Sequence, residues 1–120
     1  MTIPDHDPSC LFCRIITGAI PAKPVWETSD VIVIQDINPQ APTHVLAIPR
    51  RHIPSIEAIT PDDAAILLAV FEAANHVARE RGLDKTGYRL VLNHGADAGQ
   101  SVPHVHVHVL GGRHLGWPPG

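Results

Sequence analysis

Residues 101–112 read SVPHVHVHVLGG, with three histidines at every second position and valines between them. Side chains alternate between the two faces of a β-strand, so this spacing places His104, His106 and His108 on one face and the valines on the other. The valines indicate the core side. Neighbouring same-face positions lie about 6.6 to 6.8 Å apart, which suits two imidazoles meeting at one atom better than three around one ion. The stretch predicts a strand of chemically active imidazoles, with three solvated surface histidines as the alternative.

The composition is that of a single globular domain. The chain has 120 residues, of which 44% are hydrophobic and 18% charged, which allows a hydrophobic core and excludes a disordered chain. We expect one domain over residues 10–120, preceded by a flexible tail over residues 1–9. The net charge of −3 argues against nucleic acid or an anionic membrane as the main partner and leaves a small anionic ligand open. Without an apolar run of about 20 residues or a signal-like start, we expect a soluble, cytoplasmic protein.

The remaining pattern predicts one long helix and several strands. Thr60 is a suitable N-cap and Gly82 a suitable stop, so the apolar residues between them predict a helix over about residues 61–81. A short helix or turn is expected over CLFCRIITG, residues 10–18. Together these elements predict an α+β domain in which the long helix lies across an antiparallel sheet. The strands are expected at residues 31–37, 43–49, 88–93 and 104–110, the first two as a hairpin.

Two further motifs of the sequence could carry chemistry. Cys10 and Cys13 form a C-x-x-C pair, which in a reducing compartment is more typical of a metal or redox element than of a disulfide. Residues 93–101, NHGADAGQS, place Gly95 and Gly99 just before the histidines, where backbone N–H groups can surround an anion. An ordinary glycine turn is the alternative. Because imidazole titrates near neutrality, the histidines can act as nucleophile, acid or base on such an anion.

Longer stretches of the sequence resemble a known family. GQSVPHVHVHVLGG resembles the His-x-His-x-His-x-x signature of the histidine triad (HIT) superfamily, in which x is hydrophobic. IPAKPVWE, DINPQAPTHVLAIPRRHI, GYRLVLNHGADAGQSV and GWPPG resemble its Hint branch, the nucleotide-binding phosphoramidases, so the resemblance spans about residues 11–120. It implies the HIT fold, an antiparallel sheet of about five strands with one long and one short helix, dimerising through helix and strand. Pro103 and Asn38 depart from the branch, and Pro103 removes one backbone donor.

The resemblance implies hydrolysis of the P–N bond of purine nucleoside 5′-phosphoramidates of the AMP-NH₂, AMP-lysine or aminoacyl-adenylate type. His106 would attack the α-phosphorus to form a covalent nucleotidyl-histidine, and water would then release AMP or GMP. His108 would bind the phosphoryl oxygens, Ser101 would assist the leaving group, and His104 would complete the triad. Two alternatives stay open: a nucleotide-binding dimeric regulatory protein with vestigial catalysis, and the Fhit-like branch that cleaves dinucleoside polyphosphates.

The same resemblance implies a nucleotide pocket. Asp36 and Asn93 would hold the ribose, and the base would lie against Phe12, Ile15 and Ile37. From the residues alone, Asp36 could be a turn cap, Asn93 a strand end, and the three apolar residues plain core. The full set of expected contacts adds Asn38, Gly99, Gln100, Ser101, Val102, His106, His108 and, in a partner subunit's pocket, Trp117.

The cysteine pair takes on a role through this resemblance as well. Bacterial members that carry the pair, and the related nucleotidyltransferases, imply Zn²⁺ held by Cys10, Cys13, His52 and His104, a closed tetrahedral Cys₂His₂ set. The ion would fix one end of the triad strand, remote from the attacking atom. The alternative has no metal: Cys10 belongs to the tail, Cys13 is a small buried hydrophobe, and His52 shares a hydrogen bond with His104.

Overall fold

The computed structural model describes residues 6–120 as five antiparallel strands with helices on both faces; residues 1–5, part of the expected flexible tail, lie outside this range. The α+β arrangement and the hairpin of the second and third strands are confirmed. The helices are α1 (Leu11–Ile16), α2 (Ala64–Glu80) and the single turn α3 (Leu83–Thr86). The strands are β1 (Trp26–Glu27), β2 (Val31–Gln35), β3 (Thr43–Pro49), β4 (Tyr88–Val91) and β5 (Val107–Gly111), in the sheet order β1-β2-β3-β5-β4.

Alternation along the central strands divides their side chains between two buried faces. Val45 packs against α2 in the larger hydrophobic cluster, whereas its neighbour Leu46 packs against α1 on the opposite face. Val107 and Val109 belong to the α2 side, which confirms for these two valines the prediction that they face the core, and Val105 is also buried. Because Leu46 is the register partner of His108, the His108 side chain lies on the α1 side.

Helix α2 follows the predicted span closely. Its first turn, Pro61–Asp63, is a 3₁₀ helix, and a carboxylate oxygen of Asp63 accepts the backbone N–H of Thr60 at 2.9 Å. This hydrogen bond satisfies one of the donors that a helix start leaves unpaired. After Glu80 the chain leaves the helix and reaches Gly82 at φ +74°, a conformation that glycine adopts without a side-chain clash. Within residues 6–120, no helix has both the length and the apolar content needed to cross a bilayer.

Strand β5 begins at Val107, three residues after the predicted start. If the register continued, Ile48 would face His106 and Pro49 would face Val105, but Pro49 has no N–H to donate to a ladder. Its carbonyl oxygen accepts a hydrogen bond from Nε2 of His104 instead, at 2.8 Å. His104 and His106 therefore precede the strand, and only His108 lies within it.

Other boundaries differ from the prediction in smaller ways. β2 and β4 end two residues earlier than expected, at Gln35 and Val91. β1 supplies the fifth strand, and its two residues are too few to show a period in the sequence. A second short helix, α3, adds to the one expected, and it lies between two glycines with positive φ, Gly82 and Gly87.

Candidate functional site

The ring of His106 has a defined protonation pattern. Its Nδ1 lies 2.7 Å from the main-chain oxygen of His104. Because a carbonyl oxygen can only accept, Nδ1 carries the hydrogen and donates it, so in the neutral ring Nε2 keeps its lone pair. The side chain is buried and packs edge to face against Phe12, with ring centroids 5.0 Å apart. The lone pair of Nε2 is therefore held in a fixed position, and the role of His106 as the nucleophile stays a prediction.

His108 has the opposite pattern, set by hydrogen bonds that pass through the buried His44. The backbone N–H of Gln40 donates to Nδ1 of His44 at 3.0 Å, so the hydrogen of the neutral His44 ring is on Nε2. Nε2 of His44 donates in turn to Nδ1 of His108 at 2.9 Å. The hydrogen of the His108 ring is therefore on Nε2, where it can be donated to an anion.

The two adjacent rings thus carry complementary functions. The centroids of His106 and His108 are 5.1 Å apart. Burial, followed by the neighbouring rings of His106 and His44, lowers the pKa of His108 from 6.5 to about 4, against the opposing effect of the Asp36 carboxylate. At neutral pH His108 is therefore an uncharged hydrogen-bond donor. A lone pair on one ring and a donor on the next are what nucleophilic attack on an anionic phosphorus centre requires.

The four residues expected to hold zinc come together around His104. Nδ1 of His104 lies 3.4 Å from Sγ of Cys10 and 3.2 Å from Nδ1 of His52. Sγ of Cys13 lies 3.3 Å from Nδ1 of His52, and all four ligand atoms are within 4.8 Å of one another. Tetrahedral zinc with Zn–S and Zn–N bonds of ordinary length separates its ligand atoms by about 3.3 to 3.8 Å. The cluster therefore fits a zinc ion in size and in ligand type.

A second group of possible ligands consists of Asp36, His44 and His108. The two groups differ in the hydrogen bond made by the histidine nitrogen that faces away from the ion position. A histidine that binds a metal through one nitrogen carries hydrogen on the other and donates it. Nε2 of His104 does so, to a main-chain carbonyl, which leaves Nδ1 free for a metal. In His44 the Gln40 N–H occupies Nδ1 and places the hydrogen on the nitrogen that would face the ion. The first cluster could therefore hold a metal ion, whereas the hydrogen positions of the second suit hydrogen bonding.

Burial gives the cysteine cluster its electrostatic character. Cys13 and His104 are almost completely inaccessible to solvent, and the backbone N–H of Cys13 points at Sγ of Cys10. Burial raises the pKa of the Cys13 thiol to about 11, and burial lowers the pKa of His104 to about 4. The neutral imidazole is ready to bind a metal, whereas a buried thiolate needs a compensating charge. A divalent cation supplies that charge.

The residues expected at the ribose lie near His108. Oδ1 of Asp36 accepts the backbone N–H of Asn38 at 2.8 Å, so Asp36 does cap its turn. Its other oxygen lies 3.3 Å from Nε2 of His44, which joins the carboxylate to the hydrogen-bonded chain. Asn93 is half-buried and follows β4, whose last residue pairs with His108. Ribose binding by Asp36 and Asn93 stays a prediction.

The apolar residues expected at the base differ in exposure. Phe12 is buried against the imidazoles, and the half-buried Ile15 packs into the same cluster. Ile37 is fully exposed, so the alternative of plain core does not apply to it. Trp117 is 82% exposed, near the end of the chain.

The loop before the histidines is held by Gln100. Its Oε1 accepts the backbone N–H of Gly95 at 3.0 Å, and its Nε2 donates to the Pro54 carbonyl at 3.1 Å. Gly95 and Gly99 have φ of +82° and +84°, which explains why glycine occupies both positions. Ser101 is exposed at the end of this loop. Gln100 thus braces the loop, and binding of a nucleotide by this segment stays a prediction.

Sequence reasoning missed two groups of the site, His44 and the backbone of Gln40. His44 can be found only once the register is known, because residues 44 and 46 share a face of β3 and Leu46 pairs with His108. The register that brings them together was not deducible from the strand alone. Nothing in the sequence pointed to the Gln40 N–H, because every residue except proline carries one.

Comparisons with known proteins agree with this architecture. The HIT domain family model matches residues 17–115. An uncharacterized HIT-like protein of Synechocystis is 46% identical over 110 residues, which cover 92% of this chain and 96% of that protein. The crystal structure of a HIT family hydrolase from Legionella pneumophila has a TM-score of 0.91 at 46% identity, over 93% of this chain and 100% of the other. A histidine triad nucleotide-binding protein from Candida albicans has a TM-score of 0.78 at 35% identity, over 92% and 83%.

Proposed function

The chain belongs to the HIT domain family, and we propose that it hydrolyses the P–N bond of purine nucleoside 5′-phosphoramidates. The observation that carries the proposal is the opposite protonation of two adjacent rings, His106 with a free Nε2 and His108 with a donor Nε2. The names of the Legionella and Candida relatives, a hydrolase and a nucleotide-binding protein, support the substrate class.

The reaction follows from this arrangement in two steps. Nε2 of His106 attacks the α-phosphorus while the bond from phosphorus to the amine breaks, and the nitrogen of the leaving amine takes a proton from solvent. His108 donates Nε2–H to a phosphoryl oxygen and stabilises the charge that develops there. Water then attacks phosphorus and releases one proton to solvent, the bond to His106 breaks, and the neutral ring and a nucleoside monophosphate are regenerated and released. Ser101, exposed at the entrance, would assist the departing amine.

Zinc would have a structural part in this scheme. Cys10, Cys13, His52 and His104 would hold Zn²⁺, which when bound ties α1 to the two loops that carry the histidines. The main-chain oxygen of His104 accepts from Nδ1 of His106, so the segment that the ion fixes also orients the nucleophile.

The test is hydrolysis of a fluorogenic adenosine phosphoramidate by the wild type and by His106→Asn. We expect the variant to lose at least 10³-fold in kcat, because the covalent route is removed. His76→Asn, on α2 at the other face of the sheet, is the matched control and keeps the wild-type rate. Equal rates for wild type and His106→Asn would remove His106 as the nucleophile. AMP binding without turnover by the wild type would favour a regulatory nucleotide-binding protein, and preferential cleavage of a dinucleoside polyphosphate would favour the Fhit-like branch.

We also propose that the chain forms a homodimer through its helix and edge strand, as the resemblance implies. Leu68 and Phe71 on α2 are 60% and 37% exposed, and β4 forms one edge of the sheet. A second copy covering this side would bury both side chains and extend the sheet. Light scattering should give about twice the chain mass of 13.0 kDa, and a monomer at micromolar concentration would contradict the proposal.

The cytoplasmic location stays a prediction.

A further inference from the structure

The Arg113 guanidinium forms hydrogen bonds with the backbone of the turn between β2 and β3. Its Nε and Nη2 donate to the carbonyl oxygen of Gln40 at 3.2 and 2.9 Å, and its Nη1 donates to the carbonyl of His114. The planar guanidinium thus directs two donors at one oxygen, which fixes the orientation of that peptide more firmly than a single bond does. Gln40, whose carbonyl Arg113 binds, is also the residue whose N–H determines which ring nitrogen of His44 carries the hydrogen.

A second contact holds the same turn. Gly112 has φ of +92°, and a Cβ added to it would lie 2.8 Å from Cβ of Pro42. The absence of a side chain therefore lets the end of β5 pack directly against the turn. Gly112 and Arg113 directly follow β5. The end of this strand therefore holds the turn with Gln40, which in turn orients His108 in the same strand.

We propose that Arg113 is a positioning residue that sets the protonation pattern of His108 through Gln40 and His44. The carbonyl belongs to the peptide after Gln40 and the N–H to the peptide before it, so holding the carbonyl restricts the backbone rotation at Gln40 that would turn the N–H away from Nδ1 of His44. With the N–H in place, Nε2 of His44 donates to His108. When the hydrogen bonds from Arg113 are lost, Nδ1 of His44 can take the hydrogen. Nε2 of His44 then accepts from Nδ1 of His108, and Nε2 of His108 changes from donor to acceptor.

The Asp36 carboxylate limits the size of this effect. Its Oδ2 lies 3.3 Å from Nε2 of His44 and also favours a hydrogen there. Loss of Arg113 therefore produces a mixture of both patterns rather than a complete reversal. The consequence for catalysis rests on the proposed function: an acceptor at Nε2 of His108 repels a phosphoryl oxygen, so only the donor fraction of the enzyme turns over.

The direct test is nitrogen-15 NMR of the imidazole rings, which distinguishes a protonated ring nitrogen from an unprotonated one. In the wild type we expect His108 to carry its hydrogen on Nε2, and in Arg113→Ala we expect a substantial population with the hydrogen on Nδ1. Arg113→Lys should behave like Arg113→Ala, because an ammonium lacks the planar pair of donors. Arg50→Ala is the matched control, since Arg50 also donates to a main-chain carbonyl, that of Thr28, and should leave the His108 signals unchanged.

The His106 resonances report whether the variant is folded, because its Nδ1–H bond to the main chain does not involve the turn. With His106 unchanged, wild-type His108 signals in Arg113→Ala overturn the proposal. Where the wild type hydrolyses the phosphoramidate, kcat of Arg113→Ala should fall about tenfold, a part of the 10²- to 10⁴-fold contribution typical of a proton donor. A changed His108 pattern in a protein without phosphoramidase activity would refute the proposed function and leave the role of Arg113 intact.

Discussion

Acidification should destabilise this protein through His108. The pKa of His108 is lowered to about 4 in the folded chain, mainly by burial, from an ordinary value of 6.5. Between these two values the unfolded chain binds the extra proton, so the free energy of unfolding falls as pH falls. The contribution of the neutral ring is complete above pH 6.5 and is lost progressively toward pH 4.

The magnitude follows from the two pKa values. At pH 5 an unfolded histidine is about 97% protonated and the folded His108 about 9%, which corresponds to about 2 kcal/mol relative to high pH. Because the ring is only half-buried and part of its interaction is screened by water, we expect about 1 to 2 kcal/mol.

The assay is urea unfolding at pH 7 and pH 5, for the wild type and for His108→Asn. The wild type should lose about 1 to 2 kcal/mol more than the variant between the two pH values. Subtracting the variant removes the contributions of all other groups, including the cysteine cluster. His94→Asn removes an exposed histidine and should keep the wild-type pH dependence. Identical losses in wild type and His108→Asn would refute the reasoning that His108 is held as a neutral ring.

Three further outcomes are expected. Elemental analysis of protein purified without chelator should find about one zinc per chain, and Cys13→Ser should reduce this below about 0.2, because full occupancy requires all four ligands. Gly112→Ala should lower the free energy of unfolding by more than about 1 kcal/mol, owing to its positive φ and to contact with the turn, whereas Gly116→Ala, with open space around it, should change it by less than about 0.5 kcal/mol. Ile48→Ala should cost about 2 to 5 kcal/mol in urea unfolding, because the side chain is completely buried beside α1.

Local patterns predicted much of the fold. The apolar spacing between Thr60 and Gly82 depends on interactions within four residues, and helix α2 follows it. Strand β3 matches residues 43–49 because the apolar stretch THVLAIP lies between Pro42 and Arg50, and all seven residues are buried. Where the prediction failed, a distant residue contributed: Pro49, which would face Val105, has no N–H for the ladder that the alternation of histidines and valines suggested would start at residue 104.

The candidate site was also predictable from the sequence only in part. The C-x-x-C pair and its family resemblance were enough to predict four metal ligands, and these side chains do converge. His44 was missed, although it is buried and bonded to His108, because strand register is not written in either strand separately. The sequence also did not distinguish the exposure of the apolar residues expected at the base: Phe12 is buried, whereas Ile37 is fully exposed.

The sequence by itself determined that the histidines would lie on the side of this segment opposite to its valines, because side chains alternate along an extended backbone. Only the tertiary structure decided what each imidazole can do. The hydrogen positions of His106 and His108 depend on a main-chain oxygen and on the Gln40 N–H relayed by His44. Those partners include groups more than 60 residues away along the chain, and a ring nitrogen becomes a donor or an acceptor only when its partner is in place.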